Sequence, residues 1–188
     1  MNINGREIGV EHPPYVIAEM SCNHGGEIYN AFRIVEEAAT TGVDAVKVQA
    51  YTPDSLCVKG SYNIPSGTWA GRNLYDLYEK TAMPMEWLYP IFKLGENLGI
   101  TIFSSVYCFE GLAELERLNC PAYKIASFEA NHIELLEAVR NTGKPVILST
   151  GAIADWEVQT AVNIFDHRDL ALLHCVSSYP TNDAFPNL

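Results

Sequence analysis

A chain of 188 residues, 48% hydrophobic and 19% charged, is long enough for one domain with a packed core. Its net charge of −11, with no Lys/Arg cluster, argues against a nucleic-acid partner and against docking on an anionic membrane. Five irregularly spaced cysteines without a C-x-x-C pair indicate neither a disulfide framework nor a zinc site, and with no signal peptide at the start and no run of 18 apolar residues the expected compartment is the cytoplasm.

An Asn4-Gly5 turn near the start suits a small hairpin. Six short apolar runs follow, at 15–20, 45–51, 100–105, 122–126, 145–149 and 170–176. They are near-continuous in Val, Ile, Leu and Phe, as expected of strands buried on both faces. Between them the period becomes helical. Ile28, Ala31, Phe32, Val35, Ala38 and Ala39 make one stripe, which Gly42 ends. Leu88, Ile91, Phe92, Gly95 and Leu98 make another, with Pro84 expected at the first helical position and Gly99 after the end. Asn131 with Glu134 reads as a capping box, and Asp155 as the cap of the helix carrying Val158, Ala161, Val162 and Phe165. The alternation predicts a parallel sheet. Its later units recur every 22 to 25 residues, from 100 to 122, 145 and 170, which suits a (β/α)₈ barrel, although a doubly wound open sheet has a similar period. A complete barrel has eight strands and about 250 residues, so about six of the eight βα units are expected here. The connection 52–84 is long and rich in Trp, Tyr and Gly, and reads as a substrate lid.

Polar residues gather where the strands end. They are Glu19, Ser21, Asn23 and His24 after the first run, Lys47 and Gln49 in the second, and Ser104-Ser105 in the third. Lys124, Ser127 and Glu129 follow in the fourth, Ser149-Thr150 in the fifth, and His174, Ser177 and Tyr179 in and after the sixth. Lys47 and Gln49, two apart, face the same side of a strand. An unpaired ammonium inside a strand costs several kcal/mol, so each lysine needs a carboxylate or a ligand. The bland solution is a structural ion pair, Lys47 with Glu19 or Lys124 with Glu129. Two lysines together with hydroxyls at successive strand ends point instead to a site for phosphate and carboxylate oxygens on the catalytic face of a barrel. His24 is open between a hydrogen-bonded loop residue and a catalyst, His132 and His167 read as helix-end surface residues, and Trp87 as core packing. Trp69 and Tyr75 are open between packing and function.

The blocks VIAEMSCNHGG, DAVKVQAYTPDSL, ITIFSS, PAYKIASFE, GKPVILSTG and LLHCVSSYPT, in this order over 16–188, resemble the barrel of the N-acetylneuraminate (sialic acid) synthase family. GTWAGRNLYDLYEKTAMP and KIASFE are most similar to its pseudaminic acid synthase branch, whereas LLHCVSSYPT is closer to the neuraminate and legionaminate synthases. The resemblance implies condensation of phosphoenolpyruvate with an open-chain acetamido-hexose and water, giving a nine-carbon 2-keto acid and phosphate. Carried onto this chain, it assigns Lys47, Lys124, Ser105, Ser127, Ser149 and Ser177 to phosphoenolpyruvate. It turns Glu19, Gln49 and Tyr179 to the sugar and sets Glu129 at the attacking water. Glu19, Glu129, Lys47 and Lys124 are then the catalytic candidates. It also implies a divalent metal, manganese, whose ligands are expected beyond Leu188, a homodimer, and a C-terminal antifreeze-like domain that this chain lacks. The chain is therefore expected to be a partial barrel domain over 1–188. Two other readings stay open: a lysine Schiff-base aldolase using Lys47 or Lys124, and an inactive truncated product.

Overall fold

The computed structural model of the chain describes residues 1–60, 62–166, 169–177 and 181. Asn4 and Gly5 both take positive φ, 50° and 85°, as a two-residue hairpin turn requires. They join β1 (Asn2–Ile3) to β2 (Arg6–Glu7) in an antiparallel pair. This hairpin lies across the starts of the larger strands. The Asn4 amide donates to Thr101 Oγ1 at 3.1 Å, Arg6 Nε lies 3.4 Å from Asp44, and the amino group of Met1 is 3.9 Å from Asp169. Ile3 is fully buried beneath it.

The main sheet holds β3 (Ile17–Glu19), β4 (Ala45–Ala50), β5 (Thr101–Val106), β6 (Tyr123–Ile125), β7 (Val146–Ser149) and β8 (Leu170–Leu173). Every pairing is parallel, and each strand sits beside its neighbour in sequence. A doubly wound sheet reverses its strand order part-way. This one does not, and it is the curled wall of an incomplete (β/α)₈ barrel. The helices between strands are α1 (Ile28–Thr40), α4 (Leu88–Leu98), α5 (Phe109–Arg117), α6 (Ile133–Asn141) and α7 (Asp155–Phe165). Two short helices, α2 (Pro53–Leu56) and α3 (Leu74–Thr81), lie in the long connection.

The apolar stripes face the sheet as their spacing predicts. Ala31, Val35 and Ala38 of α1 are buried, and so are Leu88, Ile91 and Gly95 of α4. Of these, Val35, Leu88 and Ile91 contribute about 1.5–3 kcal/mol each when fully buried. Gly99 ends α4 in the left-handed conformation, with φ 71°. The expected caps differ in detail. Pro84 precedes a three-residue 3₁₀ turn, Met85–Trp87, and does not open α4 itself. Asn131 does not cap α6; its amide donates instead to Glu157 Oε1 of α7 at 3.0 Å, and His132 stands at the helix start without a capping bond. Asp155 is the first residue inside α7, and Glu157 closes that end by accepting from the Ala154 N–H at 2.7 Å. Asn131 thus finds a partner on the neighbouring helix, while Glu157 turns back on its own. His167 and Tyr179 lie outside the described residues.

Candidate active site

Strand register sorts the polar residues by face. Glu19 pairs with Lys47, Gln49 with Ser105, Ser105 with Lys124, and Lys124 with Ile147, two before Ser149. These positions therefore share one side of the sheet, at its C-terminal end. The alternate positions carry Val46, Val48, Ala50, Ile102, Val106, Tyr123, Ile125 and Leu148, all buried. Ser104 belongs to that second set. It is buried and donates to the Val48 and Ser105 carbonyls at 3.3 and 2.9 Å, so it serves the sheet.

Lys47 combines both alternatives for a strand lysine. Its ammonium is ion-paired with Glu19 and also donates to Ser105 Oγ at 3.3 Å. Glu19 in turn accepts from the Ser21 N–H at 3.1 Å and the Ser21 hydroxyl at 3.0 Å. Among the described residues Lys124 makes no carboxylate pair. Its ammonium donates to Ser149 Oγ and to the Ile125 carbonyl, both at 2.6 Å, and the residue is 8% exposed. Burial, followed by the like charge of Lys47, brings this ammonium down to about 8. A cation so held, with neutral partners alone, gains most from an anion.

Glu129 ends the 3₁₀ turn Ser127–Glu129 that follows β6. Among the described residues its Oε2 is buried without a hydrogen-bond partner, and burial raises its carboxyl to about 7, against smaller opposing pulls from a backbone hydrogen bond and from Lys124. Ser127 Oγ accepts from the Gly151 N–H at 3.2 Å. Gly151 is pressed among polar groups: a Cβ there would lie 2.4 Å from Ser177 Oγ, 3.0 Å from the Cys175 carbonyl and 3.1 Å from Ser127 Oγ. Ser127, Gly151 and Ser177 thus converge from three successive strand ends.

Other strand-end residues divide plainly. Gln49 Nε2 donates to Tyr107 Oη at 3.2 Å. The buried His24 accepts from the Gly26 N–H through Nδ1 at 3.1 Å, packs edge-on against Trp87, and has its imidazole pushed down by burial. His132 is a surface residue, stacked edge-on with Phe109. In the long connection, Tyr75 is structural, since its hydroxyl donates to Asp54 at 3.0 Å and ties α3 to α2. Trp69 is 42% exposed.

Sequence reasoning passed over Tyr51, Tyr78 and Tyr107, whose rings meet edge-on: Tyr78 to Tyr51 at 6.0 Å and Tyr51 to Tyr107 at 5.6 Å. Tyr51 Oη is 3.0 Å from Thr81 Oγ1, so α3 is fastened to the ends of β4 and β5. The signal for Tyr107 was its position two residues after Ser105, which continues the inward parity. A cavity of about 480 Å³ lies at the opposite end of the molecule, lined by Asn4, Phe92, Ile102, Arg117 and Asn119 among others, and contains none of these groups. Among the described residues no three His, Cys, Asp or Glu side chains are grouped to hold a metal ion.

The NeuB family profile matches residues 34–188. The chain belongs to the NeuB family. It is 40% identical over 182 residues to the pseudaminic acid synthase of Helicobacter pylori, covering 94% of this chain and 54% of that protein. The corresponding synthase of Campylobacter jejuni (serotype O:2) is 41% identical over 173 residues, 89% of this chain and 50% of that protein. Among solved structures, the N-acetylneuraminic acid (sialic acid) synthetase of Leptospira borgpetersenii, crystallised with citrate, superposes with a TM-score of 0.86 at 30% identity, over 98% of this chain and 61% of that one. The NeuB-family chain described here spans about half the length of the curated relatives it matches.

Proposed function

We propose that this chain, continued to the length of its relatives, forms a synthase that condenses phosphoenolpyruvate with an open-chain acetamido-hexose. The methylene carbon of phosphoenolpyruvate bonds to the sugar aldehyde carbon, water adds at the enol carbon, and the C–O bond to phosphate breaks. The products are a nonulosonic acid and inorganic phosphate. A pseudaminic-type sugar is favoured over a neuraminic or legionaminic one, because the synthases 40–41% identical to this chain carry that name.

The observation that carries the reading is Lys124: a nearly buried ammonium held by a hydroxyl and a carbonyl, close enough to Lys47 to feel its charge. This cation and the Glu19-paired Lys47, on the same side of the sheet, suit the phosphate and carboxylate of an enol ester. In this assignment Ser105, Ser127, Ser149 and Ser177 complete the anion subsite, with the Gly151 N–H beside them. Glu19 and Gln49 face the sugar, joined by Tyr179. Glu129, poised near neutrality with an unbonded oxygen, takes a proton from the attacking water. The divalent metal, manganese by family resemblance, takes its ligands from outside the described residues. The barrel of residues 1–188 is one part of a cytoplasmic homodimer whose remaining strands and antifreeze-like domain complete it.

The test is phosphate release by the full-length enzyme. Release is expected only with phosphoenolpyruvate, a divalent metal and a diacetamido or acetamido aldose together; no release with any such sugar would reject the proposal. The depressed Lys124 ammonium also fits an amine nucleophile, as in a Schiff-base aldolase. Borohydride trapping decides: a covalent adduct at Lys124 with a keto substrate supports that second reading, and phosphate release without an adduct supports the first.

A further inference from the structure

Two side-chain contacts cross from β4 to the C-terminal end of β5. Lys47 donates to Ser105 Oγ at 3.3 Å, and two residues further along both segments the Gln49 amide donates to the Tyr107 hydroxyl at 3.2 Å. Tyr107 is the fixed partner in the second contact. Its ring is clamped edge-on by Tyr51, and Tyr51 is held by Thr81 of α3.

This arrangement settles which end of the Gln49 amide is committed. With an N–H engaged by Tyr107, the carbonyl oxygen is left to accept from a ligand, which suits the N–H of an acetamido group or a sugar hydroxyl. A glutamine has three rotatable bonds, and fixing such a side chain costs conformational entropy. Anchoring at Tyr107 meets that cost before the sugar arrives.

We propose that Tyr107 is a positioning residue for the sugar subsite, holding the Gln49 amide in the orientation that receives an acetamido aldose. The inference rests on the synthase reading and deepens it.

The test is Y107F in the full-length enzyme, which keeps the ring against Tyr51 and removes only the hydroxyl. The KM for the acetamido sugar should rise about five- to tenfold, the loss of one hydrogen bond. The KM for phosphoenolpyruvate, kcat and the melting temperature should stay near the wild-type values. Q49A should raise the sugar KM in the wild type but add less than twofold on the Y107F background, since the two side chains act as a unit. An unchanged sugar KM in Y107F, full additivity with Q49A, or an equal rise in both KM values with a lower melting temperature would each overturn the proposal. A wild-type enzyme that releases no phosphate with any acetamido sugar would instead remove the synthase reading on which it rests.

Discussion

Glu129 makes the pH behaviour of this face concrete at the scale of one side chain. Its carboxyl is raised from 4.5 to about 7, chiefly by burial, so the folded protein favours the protonated form. Stability from this group is therefore fully present below about 4.5, drains as pH rises through about 7, and is gone above it. A rise of that size corresponds to about 3 kcal/mol of penalty on the ionised folded state. We expect E129Q to be more stable than the wild type by about 1–3 kcal/mol at pH 8 and nearly equal to it at pH 4, as read from urea midpoints at the two pH values. The same variant should lose most of its turnover if Glu129 is the base. Equal stability at both pH values would contradict the buried, unbonded oxygen described above. Very little of this was legible in the sequence. Glu129 was recognisable as a strand-end carboxylate, but burial of one oxygen is a property of the packed turn after β6, and no spacing rule reports it.

At the scale of elements, α4 and β5 meet where the helix has no side chain. A Cβ on Gly95 would lie 2.3 Å from Ile102 Cγ1 and 3.0 Å from the Ile100 carbonyl. Alanine is the better helix former by about 1 kcal/mol, yet overpacking costs about 1–3 kcal/mol, and here the neighbours include backbone. G95A should therefore lower the urea midpoint. The double variant G95A/I102A should be less destabilised than the sum of its single changes, because the second substitution removes the obstructing carbons. Gly95 could be read from sequence as a member of the apolar stripe, and the strands could be read to within a few residues, because buried parallel strands are continuous apolar runs. The caps could not. Asn131 and Asp155 have the right chemistry at the right spacing, but α6 and α7 lie side by side, and Glu157 answers to both ends. The short helices α2 and α3 escaped notice for a related reason: their order comes from Tyr75 on Asp54 and Tyr51 on Thr81, contacts between residues 21 and 30 positions apart.

At the scale of the molecule, β3 and β8 stand at the two margins of the six-strand sheet. A polypeptide limited to these 188 residues offers both margins to other chains. We expect it to self-associate with rising concentration in light scattering and to show no turnover, whereas a chain of its relatives' length should elute as a discrete species; a stable, active 188-residue monomer would refute this. The shared face of the lysines was legible from strand parity, while the barrel class was legible only through the family resemblance, because the period alone leaves a doubly wound sheet open and strand order is seen only in the fold. The contact of Gln49 with Tyr107 was not legible, since it depends on how two neighbouring strands align. The N-terminal hairpin has a consequence of its own. By lying across the strand starts with Ile3 fully buried, it covers the end of the sheet opposite the one that carries Lys47 and Lys124. On the synthase reading proposed above, an enol ester seated deepest, on Lys124 and Ser149, is expected to bind before the sugar that covers it.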